Sequence, residues 1–251
     1  MSTFASAVAS VTDPYERQAR LWPALLALLP VFVTVGSIYG PRLSALANAA
    51  TLAVACGGLY LLAQMSRDRG KALEKSLFDE WGGTPTTQLL RHRDAGIEAA
   101  TKSRYHAFLS RKIAQPFPDA KQEADDPKAA DDCYKSGVRW LLNQTTDHDR
   151  FPLLFKENIS YGFRRNGLGL RPAAVLVAIA CAVFILVNYG ALAMAGWSNT
   201  ALLKLPDEAW LSLVASLIAV ATWTAFFTKP TVKTAAFTYG ETLLRACDVL
   251  E

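Results

Sequence analysis

The chain has 251 residues, of which 51% are hydrophobic and only 19% charged, with a formal net charge of +4. Folded soluble domains carry about a quarter charged residues, and disordered chains combine low hydrophobicity with high charge, so intrinsic disorder is excluded. Four cysteines without paired spacing exclude a disulfide-rich secreted module and a zinc ribbon.

The apolar residues are gathered into four runs free of charge. A short segment, residues 1–20, carries Arg17 and Arg20 near its end and precedes the first run, Leu21 to Tyr39. The second is Leu43 to Met65, the third Pro172 to Leu203 and the fourth Ala209 to Thr228. A hydrocarbon core of roughly 30 Å is crossed by about 20 helical residues, so each run can span. A helix buried in a soluble core would carry a polar stripe, which these lack. The expected fold is an all-α membrane protein with four transmembrane helices and a helical cytosolic domain inserted between spans 2 and 3.

Within the spans, Pro30 predicts a kink or hinge. Small residues four apart, at Gly36 and Gly40, Ala53 and Gly57, and Ser212 and Ser216, predict close helix contacts. None of the four runs holds an ionisable residue, which argues against an ion-coupled transporter or a voltage sensor. Trp22, Tyr39, Tyr60, Trp197, Trp210 and Trp223 fall near span ends, as interfacial aromatics do. Ala47-Asn48-Ala49 imitates a signal-peptidase site, but the preceding run is longer than a signal h-region and its leader is long. A retained anchor is the expected outcome.

Basic residues set the orientation. Arg17 and Arg20 precede span 1, and Arg67, Arg69, Lys71 and Lys75 follow span 2. Arg164, Arg165 and Arg171 precede span 3, while Lys229 and Lys233 follow span 4. Only Arg42 lies between spans 1 and 2, and Lys204 is offset by Asp207 and Glu208 between spans 3 and 4. Both termini and residues 66–171 are therefore expected in the cytoplasm of a bacterial cell, at the inner membrane.

Residues 66–171 hold 19 of the 26 basic and 15 of the 22 acidic residues, so they carry the whole net charge. Acids interleave with bases, unlike the one-sign stripe of a DNA-binding face, and no direct DNA binding is expected. A mild basic excess suits anionic lipid. Leu73, Leu77 and Trp81 carry the second span onward as a helix to Gly82-Gly83. Thr84-Pro85 then caps a short helix with Leu89 and Leu90. A helix over Lys102 to Ile113 places Tyr105, Leu109 and Ile113 on one stripe, and Pro116-Phe117-Pro118 ends it.

Residues 119–132 are acidic and Ala-rich and read as a surface linker. Asp126-Pro127 starts a helix bearing Ala130, Tyr134, Val138 and Leu141. Residues 143–149 break it, and Phe151 to Phe163 forms another helix. Gly162, Gly167 and Gly169 are expected to loosen the chain before Pro172 opens span 3. No two-residue alternation marks a sheet. At the C-terminus (residues 229–251), Val232, Ala236, Tyr239, Leu243, Cys247 and Leu250 form one face of an amphipathic helix, lying on the membrane or packing on the middle domain.

Chemical signals are sparse. His92, His106 and His148 have no metal-ligand spacing, and no glycine-rich phosphate loop occurs. No cofactor, metal or catalytic residue is expected. Two clusters remain. Thr84, Thr86 and Thr87, followed by Arg91, His92 and Arg93, combine a helix start with hydroxyls and cations, a candidate anion site; the alternative is a capped turn with a lipid-facing or salt-bridged basic helix. Arg164, Arg165 and Arg171 form a basic cluster at the membrane junction, which lipid phosphates also explain.

The segments Tyr15-Glu16-Arg17-Gln18-Ala19-Arg20, Trp81-Gly82-Gly83-Thr84-Pro85-Thr86-Thr87 with Leu90-Arg91-His92-Arg93, and Phe163-Arg164-Arg165-Asn166 resemble an uncharacterised family of bacterial inner-membrane proteins. The order of two spans, a cytosolic domain and two spans is also similar to four-transmembrane effectors of anti-phage signalling systems. That second resemblance implies a homo-oligomer whose cytosolic domain senses a nucleotide signal or a partner, and whose spans permeabilise the membrane. The span-2 extension and the Phe163 to Pro172 junction would carry the signal. The competing expectation is a membrane anchor that recruits a soluble protein.

Overall fold

The computed structural model describes residues 14–39, 45–189 and 205–250. All its regular elements are helical. A π-helical turn, Glu16–Leu21, leads into α1 (Trp22–Tyr39). Then come α2 (Ala45–Trp81), α3 (Pro85–Leu90), α4 (Ala99–Ile113), α5 (Ala120–Asp125) and α6 (Pro127–Gln144). The long α7 (Pro152–Asn188), α8 (Asp207–Ala225) and α9 (Lys229–Arg245) complete the chain, with a 3-10 turn at Ala246–Asp248. Two compact units result: residues 1–73 with 162–231, and residues 74–161 with 232–251.

Among the described residues, three helices are long and apolar enough to cross a membrane: Glu16–Tyr39, Pro152–Asn188 and Asp207–Ala225. The expected second span falls on α2, where the side chains of residues 45–57 lie outside the described ones, as do Gly40, Arg42, Trp197, Lys204 and the end of the expected third span.

Many buried positions of the first unit are small residues: Ala24, Ala27, Pro30 and Thr34 on α1, Ala174 and Ala178 on α7, Ala209, Ser212, Ser216 and Ala219 on α8, packed beside the large Leu170, Ile185, Trp223 and Phe227. Other large apolar side chains point outward, including Leu29 and Phe32, Leu176 and Val183, Leu211, Leu217 and Ile218. In lipid there is no hydrophobic drive between helices, so contact is gained by close backbone approach over small residues.

Residues 162–172 depart from expectation. They form no loosened junction; α7 runs unbroken through Gly162, Gly167, Gly169 and Pro172. The glycines are points of close contact. A methyl group at Gly167 would overlap the ring of Phe227, and one at Gly169 would lie 2.7 Å from the backbone nitrogen of Gly70 on α2. Packing therefore outweighs the helix-breaking tendency of glycine. Trp223 is likewise no interfacial aromatic: it is 1% exposed and stacked on Phe227 at 4.4 Å.

The second unit has an ordinary core. Leu89 and Leu90 of α3, Tyr105 and Leu109 of α4, Tyr134, Val138 and Leu141 of α6, and Leu243, Leu244, Cys247 and Leu250 from the C-terminus close around one another. The apolar face of α9 thus packs into this unit. α2 stops where Gly82 and Gly83 take φ of 86° and 132°, and the Gly83 N–H returns to the Phe78 carbonyl at 2.7 Å. Residues 119–132 are not a linker: Asp119 and Gln122 form a reciprocal capping box that starts α5, and Asp126 caps α6.

Gly167→Leu is expected to destabilise the protein by about 1–3 kcal/mol through overpacking, read as a lower midpoint in an SDS titration of the detergent-solubilised chain. Leu176→Met, a change of similar volume at a position 68% exposed, should leave that midpoint unchanged.

Candidate ligand cavity

The segment Thr84 to Arg93 divides into two environments. Thr84 is the N-cap residue of α3 in extended conformation, because Pro85 excludes the helical region for the residue before it. Its Oγ1 lies 2.7 Å from Thr87 Oγ1, and Thr86 and Thr87 are buried. α9 crosses closely at Gly240, where a side chain would press on Pro85 and Thr86. All three threonines face a cavity of about 300 Å³.

The cavity has mostly apolar walls, with Phe78, Val138, Leu142, Ala236 and Leu243 beside Tyr161 and Tyr239. The two tyrosine rings are parallel within 7° at 6.2 Å. Tyr161 donates its hydroxyl hydrogen to Glu74 at 2.7 Å. Lys135 and Arg139 of α6 also line it, and both are exposed. Its volume and lining fall at the lower end of small-molecule sites.

Arg91, His92 and Arg93 are not among the cavity's lining residues. The Arg91 guanidinium grips Asp131 through two bonds, Nε at 2.8 Å and Nη2 at 2.6 Å, and that hydrogen bond raises its pKa. A phosphate at Arg91 would have to displace this carboxylate. The His92 backbone N–H donates to Glu123 at 2.7 Å, and its ring Nε2 donates to the Pro118 carbonyl at 2.9 Å. Arg93 lies 3.6 Å from Glu123.

Glu123, 3% exposed, is the hub of this joint, and it also accepts from the Tyr134 hydroxyl at 2.7 Å. Burial works against its charge, but the His92 N–H, the Tyr134 hydroxyl and Arg93 hold its pKa below the usual value. The buried Lys102 ammonium donates to the carbonyls of Arg91 and Asp94, and burial lowers its pKa. His106 donates to the Leu90 carbonyl at 2.7 Å and lies against Phe117 and Tyr134. Burial pushes its pKa down to about 4.

The junction cluster separates too. Arg164 stacks over Phe226 at 5.9 Å, and Arg171 donates to the Phe227 carbonyl at 3.4 Å. Arg165 is 8% exposed and donates to the Asn166 amide oxygen at 3.1 Å, while Asn166 donates to the Ala19 carbonyl at 2.8 Å. Asn166 belongs to the Phe163-Arg164-Arg165-Asn166 motif of the sequence, whereas Glu123 carries no sequence signal of its own beyond the Asp119-x-x-Gln122 capping signature, which places it on a helix. Ser212 and Ser216 lie buried in α8. Pro30 is buried inside α1.

Comparison with protein-family models, curated proteins and solved structures finds no match.

The unfolded chain takes up the His106 proton near pH 6.5, but the folded chain only near pH 4. Stability is therefore expected to fall as the pH drops through this window, by about 2 kcal/mol between pH 7 and pH 5. Glu123, with its pKa lowered, adds stability that is lost only at more acid pH. His106→Gln, which retains a donor for Leu90, should flatten the slope in thermal melts followed by circular dichroism.

Proposed function

We propose that the chain is a four-pass protein of a bacterial inner membrane that acts as an oligomeric effector. The unit of residues 74–161 and 232–251 lies in the cytosol and receives a ligand or partner at the cavity beside Thr84, Thr86 and Thr87. The spans respond by opening or perturbing the bilayer, a role that fits anti-phage defence. The reading is one of binding rather than catalysis. Leu43 to Met65 supplies the fourth crossing, and the basic residues flanking the spans orient it.

One observation carries the membrane part: the long apolar helices of the first unit expose Leu29, Phe32, Leu176, Val183, Leu217 and Ile218. In water such a surface would be a large aggregation liability. In lipid it is the solvated face. On α1, the exposed Leu29, Phe32, Gly36 and Tyr39 form one stripe, which supports contact with a second copy across the membrane plane.

Leu217→Arg distinguishes this reading from a soluble one. The side chain is 65% exposed, so in a water-soluble protein the change would stay within about 0.5 kcal/mol. In the bilayer centre arginine costs about 2.5–3.5 kcal/mol, and the variant should lose membrane insertion in a glycosylation-reporter assay. Proteoliposomes of the wild-type chain should contain cross-linkable oligomers and release a trapped dye. A monomer without leakage, pulling down one stoichiometric soluble protein, would replace the effector by an anchor.

A further inference from the structure

The cavity beside α3 has a neighbour. A second cavity of about 220 Å³, reaching Leu154, Phe155 and His148, shares Leu142 and Tyr239 with the first. The two spaces therefore meet across the same two side chains. Leu142 is 42% exposed, and the His148 imidazole is stacked on Phe155 at 3.8 Å.

The lining decides what such a slot can hold. In the first cavity Thr84 pairs with Thr87 at 2.7 Å and Tyr161 with Glu74 at 2.7 Å, and most of the remaining wall is apolar, whereas Thr145, Thr146, His148 and Asn158 line the second. Glu74, the one acid among the lining residues, is taken up by its pairing with Tyr161. A nucleobase read by hydrogen bonds finds few open donors and acceptors in the wall of the first cavity. An aliphatic chain needs none and gains from every apolar contact. The charged lining residues besides Glu74 are Lys135 and Arg139, one helical turn apart on α6 and both exposed. Lys135 is paired with Asp132 at 2.9 Å, whereas Arg139 has no ion-pair partner among the described residues.

We propose that the first cavity is a slot for an anionic amphiphile: a single aliphatic chain lies between α6, α7 and α9, and its acidic headgroup meets Arg139 and Lys135. This rests on reading the cavity as a ligand site and names the ligand's chemistry. A carboxylate from a free fatty acid and a phosphate from a lysophospholipid satisfy the same two cations, and both come from the membrane.

The test uses the full chain in lipid nanodiscs with palmitate carrying a mid-chain diazirine. After photolysis, mass spectrometry should find the label on slot residues such as Val138, Leu142 and Tyr239. Leu142→Trp, a filling change at a partly exposed position, should cut slot labelling about tenfold with the circular dichroism spectrum unchanged. The double variant Lys135→Gln, Arg139→Gln should cut palmitate labelling about tenfold but spare labelling by the corresponding diazirine alcohol. Competition by unlabelled palmitate against lysophosphatidate identifies the source of the anion. Equal labelling by acid and alcohol overturns the headgroup assignment. Slot labelling by photoactivatable adenosine monophosphate but not by palmitate overturns the amphiphile and keeps the ligand site. Label confined to the outward faces of α1, α7 and α8 with either probe overturns both.

Discussion

The structure depends on one constraint: backbone polar groups that leave water must find their partners within the chain. Helices meet it residue by residue, and the first unit is accordingly built from long helices. Once the backbone is satisfied, large apolar side chains are free to face outward. Alanine, serine and glycine take many inner positions, where they let α1, α7 and α8 approach closely around Leu170, Ile185, Trp223 and Phe227, and many other leucines and valines go outside. The close approach of α7 to α2 at Gly169 and Gly70 shows why glycine is kept in a helix that it weakens by about 1 kcal/mol per residue. A side chain there would separate the helices.

The second unit obeys the opposite solvent. Its leucines and tyrosines are inside, and its charges are outside or paired. The exception is the joint at Glu123. There a buried carboxylate is held by a backbone N–H, a tyrosine hydroxyl and a guanidinium, while His106 stays neutral beside it. A buried charge is tolerable only when its lone pairs are filled in this manner. The joint fastens α5 and α6 to the loop after α3, and the Arg91–Asp131 pair fastens the same loop a second time. With α3 held from that side, and by α9 at Gly240 from the other, its threonines form a fixed wall of the cavity.

Function follows from this division of labour. The cations that looked ligand-binding in the chain are engaged in holding the wall, and the cations that line the cavity are those of α6, some forty residues further on: Lys135, paired with Asp132 in solvent, and Arg139. An apolar slot with two exposed cations in a membrane-anchored protein is suited to chemistry that the membrane itself supplies.

Much of the fold was legible in the chain. Uncharged runs of nineteen residues or more announce bilayer-length helices, and Asp126-Pro127, Gly82-Gly83 and the four-residue spacing in α6 and α9 each set a local boundary or face, because capping, positive φ and helical periodicity act over a few residues. What the chain could not disclose was decided by contacts between distant residues. Gly162 to Pro172 reads as a loosened junction until the aromatic ring of Phe227 and the α2 backbone press on it. The stretch 119–132 reads as a linker because its anchor is a carboxylate, and a carboxylate is an anchor only when Tyr134 and the His92 amide stand around it. Local propensity is written in sequence neighbours; burial of a charge, and the pairing of Arg91 with Asp131, exist only once the helices have closed.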